Sequence, residues 1–117
     1  MTDQYQYLYQ NAELPQCPVE TTLEVISTRW GALIVRDLLN GPLRYKELQR
    51  SLGDISQKVL TENLRQLEAR RILTRTVYEQ VPPRVEYKLT ELGQSMRTLF
   101  DALWAWGEHY QEAVAQS

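Results

Sequence analysis

Between Ile55 and Arg71, polar and cationic side chains alternate with leucines at helical spacing. At about 100° per residue, one face of a helix here carries short hydrogen-bonding groups and two cations. Such a face can hydrogen-bond base edges in a DNA groove and hold phosphates. Its members are Ser56, Gln57, Lys58, Thr61, Glu62 and Arg65. The sequence therefore predicts a DNA-binding face.

Glu62 is the residue of this face that disfavours DNA, because phosphate repels its carboxylate. It could accept a hydrogen bond from a cytosine amino group, or point along the groove toward Arg65. Taken alone, the stretch also fits a solvated surface helix, so the interpretation depends on the neighbouring elements.

Two predicted helices and a tight turn position this face. A short amphipathic helix is expected over Tyr45–Leu52, and a longer one over Ser56–Arg70 with Ser56 as N-cap. Gly53 and Asp54 supply the turn between them. The longer helix has an apolar stripe formed by Leu60, Leu64 and Leu67. This arrangement predicts a helix-turn-helix.

After Arg71 the pattern changes to β-branched and aromatic residues, which predicts a hairpin. The two strands are expected over Ile72–Tyr78 and Arg84–Leu89, and Gln80–Pro83 forms a stiff tip. A hairpin directly behind a helix-turn-helix is a wing. The predicted fold class is therefore mainly α with a small β-hairpin wing.

Further cations lie near the expected DNA surface. Arg84, beside the wing tip, is expected to reach a minor groove or a flanking phosphate, the alternative being a pair with Glu79 or Glu86. Arg70 and Arg71, at the end of the longer helix, are expected to stabilise the C-terminus of that helix rather than touch bases. Phosphate contacts are also expected from the residues that open the shorter helix, Arg44, Tyr45 and Lys46.

The chain before the helix-turn-helix predicts an arm and two helices. Residues 1–16, rich in Gln and Tyr, are expected to form a loosely ordered arm, and residues 17–117 the folded domain. A first helix is expected from Cys17-Pro18, with an apolar stripe of Val19, Leu23 and Ile26. A second, from about Trp30 to Leu39, has the wide apolar face of a central helix, and Asn40-Gly41-Pro42 ends it.

A last helix is predicted from Glu91 to about Ala113, capped by Thr90. Its aromatic side chains exceed what a small core can hide, so they either pack only on their own domain or pair with a second subunit. The second option explains more of the surface and predicts a homodimer formed by the terminal helices. The expected interface residues are Leu23, Leu99, Leu103, Trp104, Trp106 and Tyr110.

Composition excludes several classes of protein. The chain has 117 residues and a net charge of −2, enough for one domain. Residues 44–88 hold ten Lys or Arg against six Asp or Glu, whereas the rest of the chain holds three Lys or Arg against nine Asp or Glu. This distribution suits a protein that presents one basic surface to a polyanion.

One histidine and one cysteine form no catalytic or zinc motif, and no phosphate-binding loop occurs. We expect no enzyme activity, cofactor or metal, and no membrane span or signal peptide, hence a cytosolic protein.

Several motifs together resemble the HxlR family of winged-helix transcription regulators. They cover the chain from Cys17 to about Gly107, and the combination is specific. The motifs are Cys17–Glu20, Trp30, Asn40–Tyr45, Ile55–Thr61, Leu64–Glu68 and Val81–Tyr87. The resemblance implies a fold related to the MarR regulators, a bacterial or archaeal origin, a recognition helix at Ser56–Arg70, and homodimers that bind palindromic operators.

Three functional hypotheses follow. The first is a homodimeric regulator of transcription that binds double-stranded DNA. The second is a winged-helix adaptor for other proteins, which would need an apolar or acidic face at Lys58, Thr61 and Arg65. The third, compatible with the first, is a sensor of an oxidant, electrophile or small molecule, acting through a dimer cavity or Cys17. The expected position of Cys17 at a helix start favours a thiolate, and some members of the HxlR family use a cysteine at this position to sense oxidants. The alternative is a buried Cys17 that only packs beneath the first helix.

Overall fold

The computed structural model describes residues 17–116, so the predicted arm over residues 1–16 lies outside the described residues. None of the helices in this range is long and apolar enough to cross a membrane. The elements, in chain order, are α1 Pro18–Val25, α2 Arg29–Leu38, β1 Leu43–Arg44, α3 Tyr45–Leu52, α4 Gln57–Ala69, β2 Leu73–Tyr78, β3 Arg84–Leu89, α5 Glu91–Gln94 and α6 Arg97–Ala115.

The predicted helix-turn-helix is present as α3, a turn and α4. Gly53 ends α3 with φ of 78°, a left-handed conformation that glycine adopts without steric cost. The Ser56 hydroxyl accepts a hydrogen bond from the Val59 amide at 3.1 Å and so caps α4, as predicted. Leu48 of α3 and Leu60 of α4 are fully buried, which fixes the two helices against the core.

The wing is part of a three-stranded antiparallel sheet in the order β1-β3-β2. The hairpin of β2 and β3 was predicted. In the structure, Val77 lies opposite Val85 and Tyr78 opposite Arg84. The third strand was not predicted. Leu43 and Arg44 pair with Tyr87 and Glu86 of β3, and two residues are too few to show a strand periodicity.

Helix α2 lies at the centre of the core, as its wide apolar face predicted. Ile34 and Val35 are fully buried, whereas Trp30 is half-buried at the edge of the core. The remaining core residues come from α3, α4 and the sheet: Leu48, Leu52, Ile55, Leu60, Leu64, Leu67, Ile72, Leu73, Tyr87 and Leu89.

The prediction of one continuous last helix was wrong. Thr90 caps the helix as expected, accepting from the Gly93 amide at 3.0 Å, but α5 ends after Gln94. The Met96 amide then bonds to the Gly93 carbonyl three residues back, which tightens the turn before α6 begins. A Cβ at Gly93 would clash with the Ile72 carbonyl oxygen, so this short helix is pressed directly against the chain that enters β2.

The apolar stripe of α1 lies outside the core. Val19 and Leu23 are about half exposed, and α1 has no buried residue.

The prediction that Arg70 stabilises the C-terminus of its own helix was wrong. Its guanidinium donates instead to the carbonyls of Glu24 and Val25 at the end of α1, which neutralises part of that helix dipole.

Candidate nucleic-acid interface

The outward face of α4 holds the predicted DNA-binding side chains together. Lys58, Glu62 and Arg65 are exposed, Thr61 is half-buried, and together with Gln57 they border an open, shallow groove. The apolar stripe of α4 anchors the opposite side in the core. The helix therefore presents this face to solvent in a fixed orientation.

The cations of this face are not neutralised by the protein itself. Within residues 17–116, Lys58 and Arg65 have no ion-pair partner, and no ion pair joins Glu62 to Arg65. A cation without an ion-pair partner in the protein is available to pair with an external anion. The face can therefore bind a polyanion without first breaking an internal ion pair.

The hydroxyl of Tyr45, which was predicted to contact a phosphate, is hydrogen-bonded within the protein. Its hydroxyl lies 3.1 Å from the Gln57 carbonyl oxygen and 3.0 Å from the Thr61 hydroxyl oxygen. Both contacts are satisfied if Tyr45 donates to the carbonyl and accepts from Thr61. Tyr45 therefore links the start of α3 to the start of α4 and helps to orient α4.

Sequence reasoning missed a buried polar link behind α4. Asn63 is 7% exposed, donates to the Val59 carbonyl at 2.8 Å and accepts from the Thr28 hydroxyl. Thr28 in turn caps α2 by accepting from the Gly31 amide at 2.8 Å. The signal was present, since Asn63 is a polar residue at the helical angle of Leu60 and Leu67.

A second group of cations borders a groove between the start of α3 and the wing tip. Arg44, Lys46, Arg50 and Arg84 all line it, and Arg50 was not predicted as a contact. The Arg44 amide is held by the Glu47 carboxylate at 2.8 Å, which fixes the start of α3. Arg84 forms no ion pair with Glu79 or Glu86 and lies instead over the ring of Tyr78.

The predicted dimer residues are mostly uncovered in the single chain. Leu103, Trp104, Trp106 and Tyr110 of α6 are each about half to two-thirds exposed, and α6 has no buried residue. The rings of Trp106 and Tyr110 stack with centroids 5.3 Å apart. The other two predicted residues are Leu99, which is half-buried, and Leu23, which is exposed on α1.

Cys17 stands at the N-cap position of α1 as a partly exposed free thiol. Its side chain does not cap the helix, while its carbonyl accepts from the Thr21 amide at 2.9 Å. The thiol is thus not committed to a structural hydrogen bond at the helix start.

The fold agrees with what the comparisons with known proteins found. The model of the HxlR-like helix-turn-helix family matches residues 25–115. The chain belongs to the HxlR-like helix-turn-helix family. This confirms the resemblance inferred from the motifs, and with it the winged-helix fold class.

The relatives of this HxlR-like protein are regulators of transcription. YkvN of Bacillus subtilis, an HTH-type transcriptional regulator, is 46% identical over 96 residues, which cover 82% of this chain and 81% of YkvN. A crystal structure of the HTH-type transcriptional regulator YtcD is 45% identical with a TM-score of 0.79, covering 83% of this chain and 99% of that one.

One of the similar structures is that of a redox regulator. The reduced form of the redox regulator HypR is 39% identical with a TM-score of 0.80, covering 86% of this chain and 100% of that one. By its family and its relatives, this chain is an HTH-type transcriptional regulator.

Proposed function

We propose that this HxlR-like regulator binds double-stranded DNA as a homodimer on an inverted-repeat operator. Helix α4 lies in the major groove, where Lys58 and Arg65 contact bases or phosphates. The groove between the start of α3 and the wing follows the DNA backbone beside it. The exposed, unneutralised cationic face of α4 on a helix-turn-helix carries this proposal.

The adaptor hypothesis has less support from the same face. A surface that binds another protein tightly has an apolar core from which charged residues are depleted. The outward positions of α4 are polar or charged instead, and the nearest large apolar side chains of that helix point into the core. The charge of this face is therefore better suited to phosphate than to an apolar protein surface.

The homodimer is supported by the uncovered apolar side chains of α6. Two tryptophans and a tyrosine stand more than half exposed on one 19-residue helix. Apolar surface of this kind, when it is contiguous, marks an interaction site. A second copy of α6 offers the same surface, and a twofold axis would present two α4 helices to two half-sites.

The experiment that tests DNA binding is the salt dependence of affinity for a mixed-sequence duplex. Each phosphate neutralised by Lys or Arg releases counterions, so log K should fall with log salt at a slope of about −0.9 per contact. With several such contacts, we expect a slope steeper than about −3. An affinity that does not change with salt would contradict the proposal.

A response to oxidants through Cys17 is a second, compatible proposal, favoured by the free thiol at the start of α1 and by the likeness to HypR. Diamide would take two electrons and two protons from two Cys17 thiols of different molecules and join their sulfurs as a disulfide. We expect diamide to change the DNA affinity of the wild-type protein and not that of Cys17→Ser. Equal responses in both proteins would make Cys17 structural.

A further inference from the structure

Tyr78 and Arg84 form the last residue pair of the wing before its tip. They stand directly opposite each other in the β2–β3 ladder, so their side chains leave the same face of the sheet. The guanidinium carbon of Arg84 lies 4.3 Å from the centroid of the Tyr78 ring, within the range of a cation–π contact. The Tyr78 hydroxyl donates to the Glu86 carboxylate at 3.4 Å, two residues along β3.

This contact limits how Arg84 can meet an anion. The Nε atom of Arg84 is covered and has no hydrogen-bond partner in the described part of the chain. Only the outer end of the guanidinium, with its two terminal amino groups, is left for an external acceptor. Arg84 can therefore bind an anion only through its terminal amino groups, and the ring of Tyr78 sets their orientation.

The groove that Arg84 borders is lined by three further cations from α3 and the residue before it, Arg44, Lys46 and Arg50. Glu47, the acid of the same lining, is already engaged with the Arg44 amide. Prolines 82 and 83 close the wing side of the groove. Its chemistry fits a strand of phosphates running between α3 and the wing.

Resting on the proposed DNA binding, we infer that Tyr78 is a positioning residue, which holds Arg84 in the orientation that contacts a backbone phosphate. A free arginine side chain loses rotamer entropy when it binds, and a guanidinium already stacked on a ring loses less. Tyr78 thus raises DNA affinity without adding a charge and without touching DNA itself.

The test measures affinity and salt slope for the wild type, four variants and one control variant on one mixed-sequence duplex of about 30 base pairs, roughly three helical turns. The variants are Tyr78→Val, Tyr78→Phe, Arg84→Ala and the double variant Tyr78→Val with Arg84→Ala. Valine keeps strand propensity without the ring, and phenylalanine keeps the ring without the hydroxyl. Val81→Ala, at the fully exposed wing tip, is the control for a change in the hairpin that leaves the pair intact.

We expect Tyr78→Val to bind about three- to fivefold more weakly than wild type with an unchanged salt slope, since the rotamer entropy that an unstacked arginine side chain loses on binding corresponds to roughly that factor. Arg84→Ala should flatten the slope by about 0.9, because one phosphate contact is lost. Tyr78→Phe and Val81→Ala should bind like wild type, and Tyr78→Val should add nothing in the Arg84→Ala background.

Three results would overturn the inference while wild-type DNA binding stands. They are wild-type affinity for Tyr78→Val, a loss for Tyr78→Phe equal to that for Tyr78→Val, and a full additional loss in the double variant. The first result would mean that Tyr78 does not affect DNA binding. The second would mean that the hydroxyl of Tyr78, and not its ring, causes the effect, and the third that Tyr78 acts independently of Arg84. A wild-type protein with no salt-dependent affinity would contradict the proposed function itself.

Discussion

Lys58→Ala and Arg65→Ala are each expected to weaken binding to the DNA sequence that the protein selects from a random pool by about 1–3 kcal/mol. Both side chains are exposed on the outward face of α4 and have no ion-pair partner within residues 17–116. A base contact would relax specificity at one position of the site. A phosphate contact would weaken all sequences alike and flatten the salt slope by about 1.

Lys88→Ala is the matched control, because it removes one exposed cation of the same charge from β3, at the end away from the wing tip. It should change affinity by much less than either α4 variant. If all three variants lose the same amount, α4 does not make the specific contacts, and the protein binds DNA only through its overall charge distribution.

Leu103→Glu is expected to dissociate the homodimer and abolish tight operator binding. Leu103 is 47% exposed in the single chain, so the variant should fold, but a dimer on this face would bury an unpaired carboxylate in each subunit. Because the dimer is symmetric, the substitution occurs twice in the same interface. We therefore expect the dimer dissociation constant to rise at least a hundredfold, a loss of about 3 kcal/mol or more in association free energy. Sedimentation of the variant and wild type at equal concentrations measures the shift.

Ala105→Glu is the control for this prediction. Ala105 lies about 200° around the helix from Leu103, on the side that already carries Asp101 and Glu108. It adds the same charge and should leave the association unchanged. A Leu103→Glu protein that remains dimeric, or a wild-type protein that is monomeric at micromolar concentration, would remove α6 as the interface and the twofold operator with it.

Elements with a local cause were predicted well from the sequence. The bounds of α3 were predicted correctly, because helix-breaking residues flank its apolar stripe. Asn40-Gly41-Pro42 precedes the helix, and Gly53 ends it. Helix α4 and the hairpin followed in the same way from the Ser56 cap, the leucine spacing and the prolines at the wing tip. The outward positions of α4 depend only on helical periodicity, which explains why the sequence predicted that these side chains share one exposed face.

Elements with a distant cause were missed. β1 exists only because Leu43 and Arg44 meet β3, more than 40 residues further along the chain. The apolar spacing of Leu92, Met96 and Leu99 runs through the turn between α5 and α6, so periodicity alone indicated one helix. Two side-chain contacts were also missed: Arg70 with the end of α1, and Arg84 with the ring of Tyr78. Both depend on side-chain conformation in the folded protein, which the spacing of residues in the sequence does not specify.

Methylation protection tests the central proposal, that α4 reads the major groove, most directly. Guanine N7 lies on the major-groove edge, so a bound α4 shields it from a methylating reagent. On a selected operator we predict two clusters of protected guanines, related by inverted symmetry and centred about one helical turn, roughly 34 Å, apart. Arg65→Ala should lose protection within those clusters. Tight, salt-dependent binding that leaves every major-groove guanine reactive would contradict the placement of α4.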